Sequence, residues 1–155
     1  EFEAQGNRAL IFVARGRNFA AAEQWREACQ ELSAALELDP ENPDTNILHA
    51  WVIYNLPYRD QLAQYAACRS RIEIQLQRDD CNPEGYYYIA RMSEDIRSMA
   101  DAAEFYSTVL SLDPKHVAAR EGLERVRTHP SLGEGHESPE GGRLFGALRS
   151  LFGRS

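Results

Sequence analysis

Leu38-Asp39-Pro40-Glu41-Asn42-Pro43 decides the fold, because its first three residues return as Leu112-Asp113-Pro114. Each copy closes a helix-patterned run. Leu32 and Ala28 lie eight and twelve residues before Pro40, and Tyr106 and Ala102 lie at the same two offsets before Pro114. The copies are 74 residues apart, which is one step of 40 and one of 34. Pro43 and Pro83 supply the step of 40, and each follows an Asn, as expected where an N-cap precedes a proline in the first helical turn. The chain therefore divides into units at about 9–42, 43–82 and 83–116. Periods of this size belong to solenoids, in which a helix pair cannot bury its apolar face alone and stacked neighbours build one core.

These positions resemble the tetratricopeptide repeat (TPR) family, whose unit places large and small apolar residues at fixed places on two helices and ends near a proline. Unit one supplies Phe12, Gly16, Phe19, Ala28, Leu32, Ala35 and Pro40; unit three supplies Tyr86, Ala90, Ala102, Tyr106 and Pro114, with Ser93 at a bulky position and Val109 at a small one. Unit two needs six extra residues around Asn55–Asp60 before Cys68 and Ile72 fall into phase. Pro57 predicts a lengthened loop there, since a proline removes a helical hydrogen bond and clashes with the preceding turn. In unit one, Gly16-Arg17-Asn18-Phe19 reads either as the end of the first helix or as the turn after it. The resemblance, over roughly residues 9–116, implies an all-α, right-handed α-solenoid of three helical hairpins.

Past the repeats, 117–127 patterns as a capping helix, which a terminal repeat needs to cover its apolar face. The repeat domain is expected over 1–127. Residues 128–142 are dense in Pro, Gly, Ser and Glu and read as a linker; His129 and His136 fall there beside Glu134 and Glu137 and read as solvated side chains rather than metal ligands. In 143–155, Leu144, Phe145, Leu148, Leu151 and Phe152 recur at helical spacing, which predicts a short amphipathic helix that docks on another surface. The surfaces open to it are this domain's own groove or a second copy of the chain, another protein, or a membrane, the last as a weak peripheral contact.

Charge narrows the partners. The net charge is −7, there is a single Lys, and residues 1–127 hold 14 basic and 21 acidic side chains, while 143–155 hold three Arg and no acid. Clustered basic residues are what phosphate binding requires, so nucleic acid is not expected. No apolar run is long enough to cross a bilayer and no secretory signal is present, which places the expectation in the cytoplasm. Cys29, Cys68 and Cys81 form no paired motif and are expected as buried free thiols, with no metal and no cofactor. The overall pattern, including His49-Ala50-Trp51-Val52-Ile53-Tyr54 and a Leu-Phe-Gly-rich end, resembles C-terminal modules of larger bacterial proteins, and the absence of a starting Met fits such an excision.

What the resemblance implies about function is a concave groove lined by the first helix of each unit. Carried onto this chain, its positions are Leu10, Val13, Arg17 and Ala20, then Asp44, Ile47, Trp51 and Tyr54, then Glu84, Tyr87, Arg91 and Glu94. Arg17, Ile47, Trp51, Tyr54, Tyr87 and Arg91 are the candidate partner-binding residues, with Leu56, Tyr58 and Arg59 of the insertion adding specificity; Trp, Tyr and Arg usually dominate binding energy. The competing reading for Trp51 and Tyr87 is core between hairpins. Family members that clamp a terminal carboxylate carry Lys, Asn, Asn, Lys and Arg where this chain has Val13, Arg17, Leu48, Glu84 and Tyr88, so an acidic chaperone tail is not the expected ligand. The expectation is a non-enzymatic scaffold that binds a peptide or helix. Its alternatives are a secretion or J-domain-associated co-chaperone module and the regulatory domain of an enzyme.

Overall fold

The computed structural model describes residues 2–57 and 60–129. The sequence expectations for Tyr58, Arg59, most of the linker, and the tail residues Leu144, Phe145, Leu148, Leu151 and Phe152 lie outside the described residues. Among those described there are seven helices and no strand: α1 (Phe2–Ala21), α2 (Trp25–Leu38), α3 (Pro43–Asn55), α4 (Gln61–Leu76), α5 (Pro83–Asp95), α6 (Met99–Leu112) and α7 (Val117–Arg127). They pair as hairpins α1–α2, α3–α4 and α5–α6. The first helices α1, α3 and α5 also touch in sequence order, and α7 extends that row by packing on both α5 and α6.

Local chemistry fixes where the helices start. The Asn42 side chain accepts hydrogen bonds from the Thr45 N–H and hydroxyl, both at 3.0 Å, and Asn82 accepts from the N–H groups of Glu84 and Gly85 at 3.1 and 3.4 Å. Pro43 and Pro83 follow in the first turn, where their missing N–H is no loss. The helix-to-helix turns of the outer hairpins are alike. Glu23 (φ 57°) and Arg97 (φ 65°) both adopt the left-handed conformation, and the next N–H, of Gln24 or Ser98, reaches back to the Phe19 or Ser93 carbonyl at 2.9 Å. Six-to-one bonds of this kind close helix ends. They put Gly16–Phe19 inside α1, which settles the unit-one ambiguity in favour of helix.

The six extra residues of the middle hairpin are only partly loop. Its connection, 56–60, has five residues against three in the outer hairpins, and Cys68 is the eighth residue of α4 where Ala28 and Ala102 are the fourth of α2 and α6. Two residues therefore lengthen the loop and four add one turn to the start of α4. The added turn is explained by its caps. Asp60 accepts from the Ala63 N–H at 3.0 Å, and the buried Gln64 amide donates to the carbonyls of Ile53 (2.6 Å) and Tyr54 (3.3 Å) at the end of α3.

Small residues let the helices approach. An added Cβ on Gly16 would come within 2.7 Å of Leu32, and one on Gly122 within 2.4 Å of the Tyr106 ring, so α1 and α7 lie against α2 and α6 at glycine distance. The core is one apolar cluster running from Ile47 in α3 to Val126 in α7, with a smaller one of Ala28, Leu32, Leu48 and Val52 joining the first hairpin to the second. Ser93, the polar residue at a bulky position, is fully buried and shares a 3.1 Å hydrogen bond with the Tyr65 hydroxyl of α4. Arg69 donates to that same hydroxyl at 2.7 Å, pairs with Glu73 at 2.8 Å, and lies over the Phe105 ring, which ties α4 to α6.

Candidate functional site

The first-helix face divides into an open half and a filled half. The open half is a cleft of about 870 Å³ between α1 and the α2–α3 connection, walled by Gly6, Ala9, Leu10, Val13, Arg17 and Ala35 and edged by Asp39, Asn42 and Asp44. It exists because α1 has 20 residues against 13 in α3 and α5, so its first turns overhang the stack. Leu10 is 65% exposed, which is uncommon for so large an apolar side chain on a helix that also packs. The two carboxylates at the edge are hydrogen-bonded by neutral amides: Asn42 donates to Asp39 at 3.2 Å and Asn82 donates to Asp44 at 2.7 Å. Among the described residues neither forms an ion pair.

The filled half holds most of the residues expected to bind a partner. Trp51 stacks flat on Tyr88, with ring centroids 4.9 Å apart and planes 3° off parallel, lies against Tyr54 at 5.9 Å, and takes the Trp25 ring edge-on at 6.3 Å. Aromatic stacks of this kind add about 0.5–1.5 kcal/mol per pair beyond the area they bury. Tyr87 packs against Tyr88, Tyr106 and His116 and receives a 3.4 Å hydrogen bond from Arg91. Ile47 is 1% exposed and Tyr54 is 8% exposed, so both belong to the core and not to a groove surface. The reason is geometric: α3 has a neighbour on each side, and its inward residues meet those neighbours before they meet solvent. Leu56 is half-buried beside a polar cavity of about 310 Å³ that also takes in Tyr54, Gln61, Gln64 and Asp95. Burial pushes the Tyr54 phenol up to about 12, so it is a neutral hydroxyl at any ordinary pH.

Between the two halves runs a bridge. The Arg17 guanidinium of α1 donates to both carboxylate oxygens of Glu84 in α5, at 2.9 and 3.2 Å, and the Tyr88 hydroxyl donates to Glu84 at 2.6 Å. Burial and the neighbouring Glu84 carboxylate hold the Tyr88 phenol far above its usual range. Arg17 is therefore engaged within the fold, and the pair spans the middle hairpin.

Solved structures confirm the architecture. The first TPR domain of Spaghetti (RPAP3), solved bound to the HSP90 peptide SRMEEVD, superposes with a TM-score of 0.64 at 18% identity, covering 83% of this chain and 95% of that one. The fold is that of a tetratricopeptide repeat domain. The Sgt2 TPR domain from Aspergillus fumigatus gives 0.62 at 15% identity over 87% of this chain and 93% of that one, and PcrH from Pseudomonas aeruginosa gives 0.55 at 16% over 78% and 87%. No family model matches the chain, and no curated protein is detectably similar to it in sequence.

The TPR fold gives the bridge a context. Of the five positions at which clamp-type members of the family carry carboxylate-binding residues, three here hold Arg17, Glu84 and Tyr88, hydrogen-bonded to one another. Leu48, at a fourth, is 2% exposed and lost to the core. Of the five positions, Val13 and Arg17 line the open cleft.

Two groupings have no counterpart in the sequence patterns. His49 of α3 lies 3.2 Å from Ser33 Oγ and 3.7 Å from Cys29 Sγ through Nε2, while Arg71 donates to Nδ1 at 3.2 Å. Burial first and the Arg71 charge second lower the His49 pKa to about 4. An Arg donor on Nδ1 requires the proton on Nε2, so this imidazole is a donor to Ser33 and Cys29, and not a base. At the exposed α4–α5 turn, Asp79, Asp80 and Cys81 approach one another, which the bonds of the Cys81 thiol to Asp80 and of its N–H to Asp79 explain. Of the three free thiols only Cys68 is buried; Cys29 is half-buried and Cys81 exposed, against the expectation that all were interior.

Proposed function

We propose that this domain is a non-catalytic scaffold whose cleft between α1 and α3 receives an amphipathic, basic segment of another protein. The single observation that carries this is the pairing of an apolar wall, the exposed Leu10 and the half-buried Val13, with two edge carboxylates, Asp39 and Asp44, that form no ion pair among the described residues; the one cation lining the cleft, Arg17, acts on Asp44 through space but is bonded to Glu84. A helix or extended peptide with apolar anchors one turn apart and Arg or Lys flanking them satisfies both features at once. The ligand chemistry is the reverse of the acidic peptide SRMEEVD bound to the RPAP3 domain. The bridge between Arg17 and Glu84 and the negative body charge support that reversal, since an acidic tail would meet like charge. Trp51, Tyr54 and Tyr87 form the rigid filled half beside the cleft, and Leu56, with Tyr58 and Arg59 close to it in sequence, belongs to a separate polar cavity.

The free thiols favour a reducing, cytoplasmic setting. No described helix is long and apolar enough to cross a membrane. A display library of random 12-residue peptides, panned on the immobilised full chain, tests the reading. Selected peptides should be net basic with apolar anchors at helical spacing, and Leu10→Asp or the double change Asp39→Asn, Asp44→Asn should weaken them tenfold or more, on the order of 1.4 kcal/mol. Selection of acidic peptides, or of peptides indifferent to these changes, overturns it.

A further inference from the structure

We infer that the resting occupant of the α1–α3 cleft is the chain's own segment 143–155, which a partner must displace; this rests on the reading of the cleft given above. The segment's chemistry is what the cleft asks for. Leu144, Phe145, Leu148, Leu151 and Phe152 recur at i, i+1, i+4, i+7 and i+8, a spacing that one helix face presents, and Arg143, Arg149 and Arg154 accompany them with no acidic side chain. The cleft offers Leu10, Val13 and Ala9 as an apolar wall and Asp39 and Asp44 as carboxylates hydrogen-bonded by amides; Arg17 also lines it, with its guanidinium bonded to Glu84. The other stretch of this kind, residues 4–21 with Arg8, Arg15 and Arg17 and no acid, is α1 itself, the wall of the cleft, which leaves 143–155 as the segment outside the packed helices with this composition. The acidic excess of residues 1–127, 21 acids against 14 bases, lies entirely on the side that would receive it.

Reach is sufficient for the segment to bind within its own chain. The first-helix row runs α1, α3, α5, α7, and adjacent packed helices sit 8–10 Å apart, so the end of α7 is about 30 Å from α1. Residues 130–142 span up to about 45 Å when extended. A tether of that length holds the segment at an effective concentration near the millimolar range, so even a contact of modest intrinsic affinity is mostly formed. At micromolar protein the chain's own segment therefore outcompetes that of a second copy. The consequence for binding follows: a partner sees only the fraction of clefts that are empty, and its apparent affinity falls by that fraction.

Hydrogen exchange by mass spectrometry on the full chain tests this, with Leu144→Asp, Leu148→Asp and Leu151→Asp combined as the tail variant. These positions lie beyond α7 in sequence, and an unchanged far-ultraviolet circular dichroism spectrum with a cooperative melt would show that the body is intact. In the wild type, amides over residues 6–17 of α1 should exchange several-fold more slowly than in the tail variant, and equally so at low and high protein concentration. An excess of synthetic peptide 143–155 should restore the slow exchange to the tail variant, and should fail to do so once Leu10→Asp is added. Equal exchange in wild type and tail variant, or no effect of the peptide, overturns the inference, as does protection that grows with protein concentration, which would assign the cleft to a second copy. A library-selected basic peptide separates the two readings. If it binds the tail variant no more tightly than wild type, occupancy by the chain's own segment is wrong while the cleft remains a binding site; if no peptide binds either protein, the cleft reading itself fails.

Discussion

The two ends of the stack are built from matching sequence positions and behave differently. At the C-terminal end, α7 lies on α6 across Gly122, Tyr106 is wholly enclosed, and Glu94 accepts from both Tyr106 and Arg125. At the N-terminal end, α1 touches α2 through Gly16 in the same manner, yet Leu10 and Ile11 are 65% and 58% exposed. A terminal repeat leaves one apolar side unpartnered. Here one end resolves this with a polar helix whose outer face carries Arg120, Glu121, Glu124 and Arg127, and the other leaves an apolar edge standing over a cleft. The difference teaches that one end is closed as a frame while the other keeps an apolar edge open, the end at which the proposed function places binding.

The comparison breaks most visibly at Tyr106. Tyr106→Ala should remove about 3–5 kcal/mol of stability, because it opens a cavity and strands α7, whereas Leu10→Ala should change the urea midpoint hardly at all. Glycines sharpen it next. Gly122→Ala should destabilise by about 1–3 kcal/mol through overlap with the Tyr106 ring; Gly6→Ala, with open space around it in a helix, should stabilise by roughly 0.5–1 kcal/mol. Thermal melts of both would show opposite signs at the two ends.

His49 gives a pH test of the joint between the first two hairpins. Its folded pKa, about 4, is below the ordinary value of 6.5, so the unfolded chain takes up a proton first. Stability is then flat above about pH 6.5 and falls as pH drops towards 4, by on the order of 1–2 kcal/mol because the ring is only partly shielded. His49→Gln should remove that slope in urea titrations between pH 7 and pH 4. Smallest of all is the pair of left-handed turns. Glu23→Gly and Arg97→Gly should each raise stability by up to about 1 kcal/mol, and by similar amounts, since the two turns share one geometry. Unequal gains in chemical denaturation would mean that the matching turns are strained differently.

Much of this fold was legible because its repeats bury small residues at fixed steps: Gly16, Ala28, Ala90 and Ala102 mark close helix crossings, and Asn42-Pro43 and Asn82-Pro83 mark helix starts. The site was less legible. First-helix spacing identifies a face, but whether Ile47 or Trp51 on that face meets solvent depends on how near α1 and α5 come, and residues scores of positions away set that distance. The same limit hid the bridge from Arg17 to Glu84, although both residues stood among the expected groove positions. The extra turn of α4 escaped the pattern because Pro57 signals a break but not how much of the added length returns to helix. His49 gathers Ser33, Cys29 and Arg71 from three helices, and no local motif foretells such a meeting.

A stack of similar hairpins has an ordering problem: if any hairpin could sit on any other, folding could join them in the wrong sequence, or exchange them between chains. The hydrogen bond between Ser93 and Tyr65 is made at one joint alone, that of the second hairpin with the third. Were the third hairpin to stack directly on the first, Ser93 would sit buried without its partner, a loss of about 1–3 kcal/mol. That one hydroxyl pair works as an address, making the correct neighbour the cheapest one to accept.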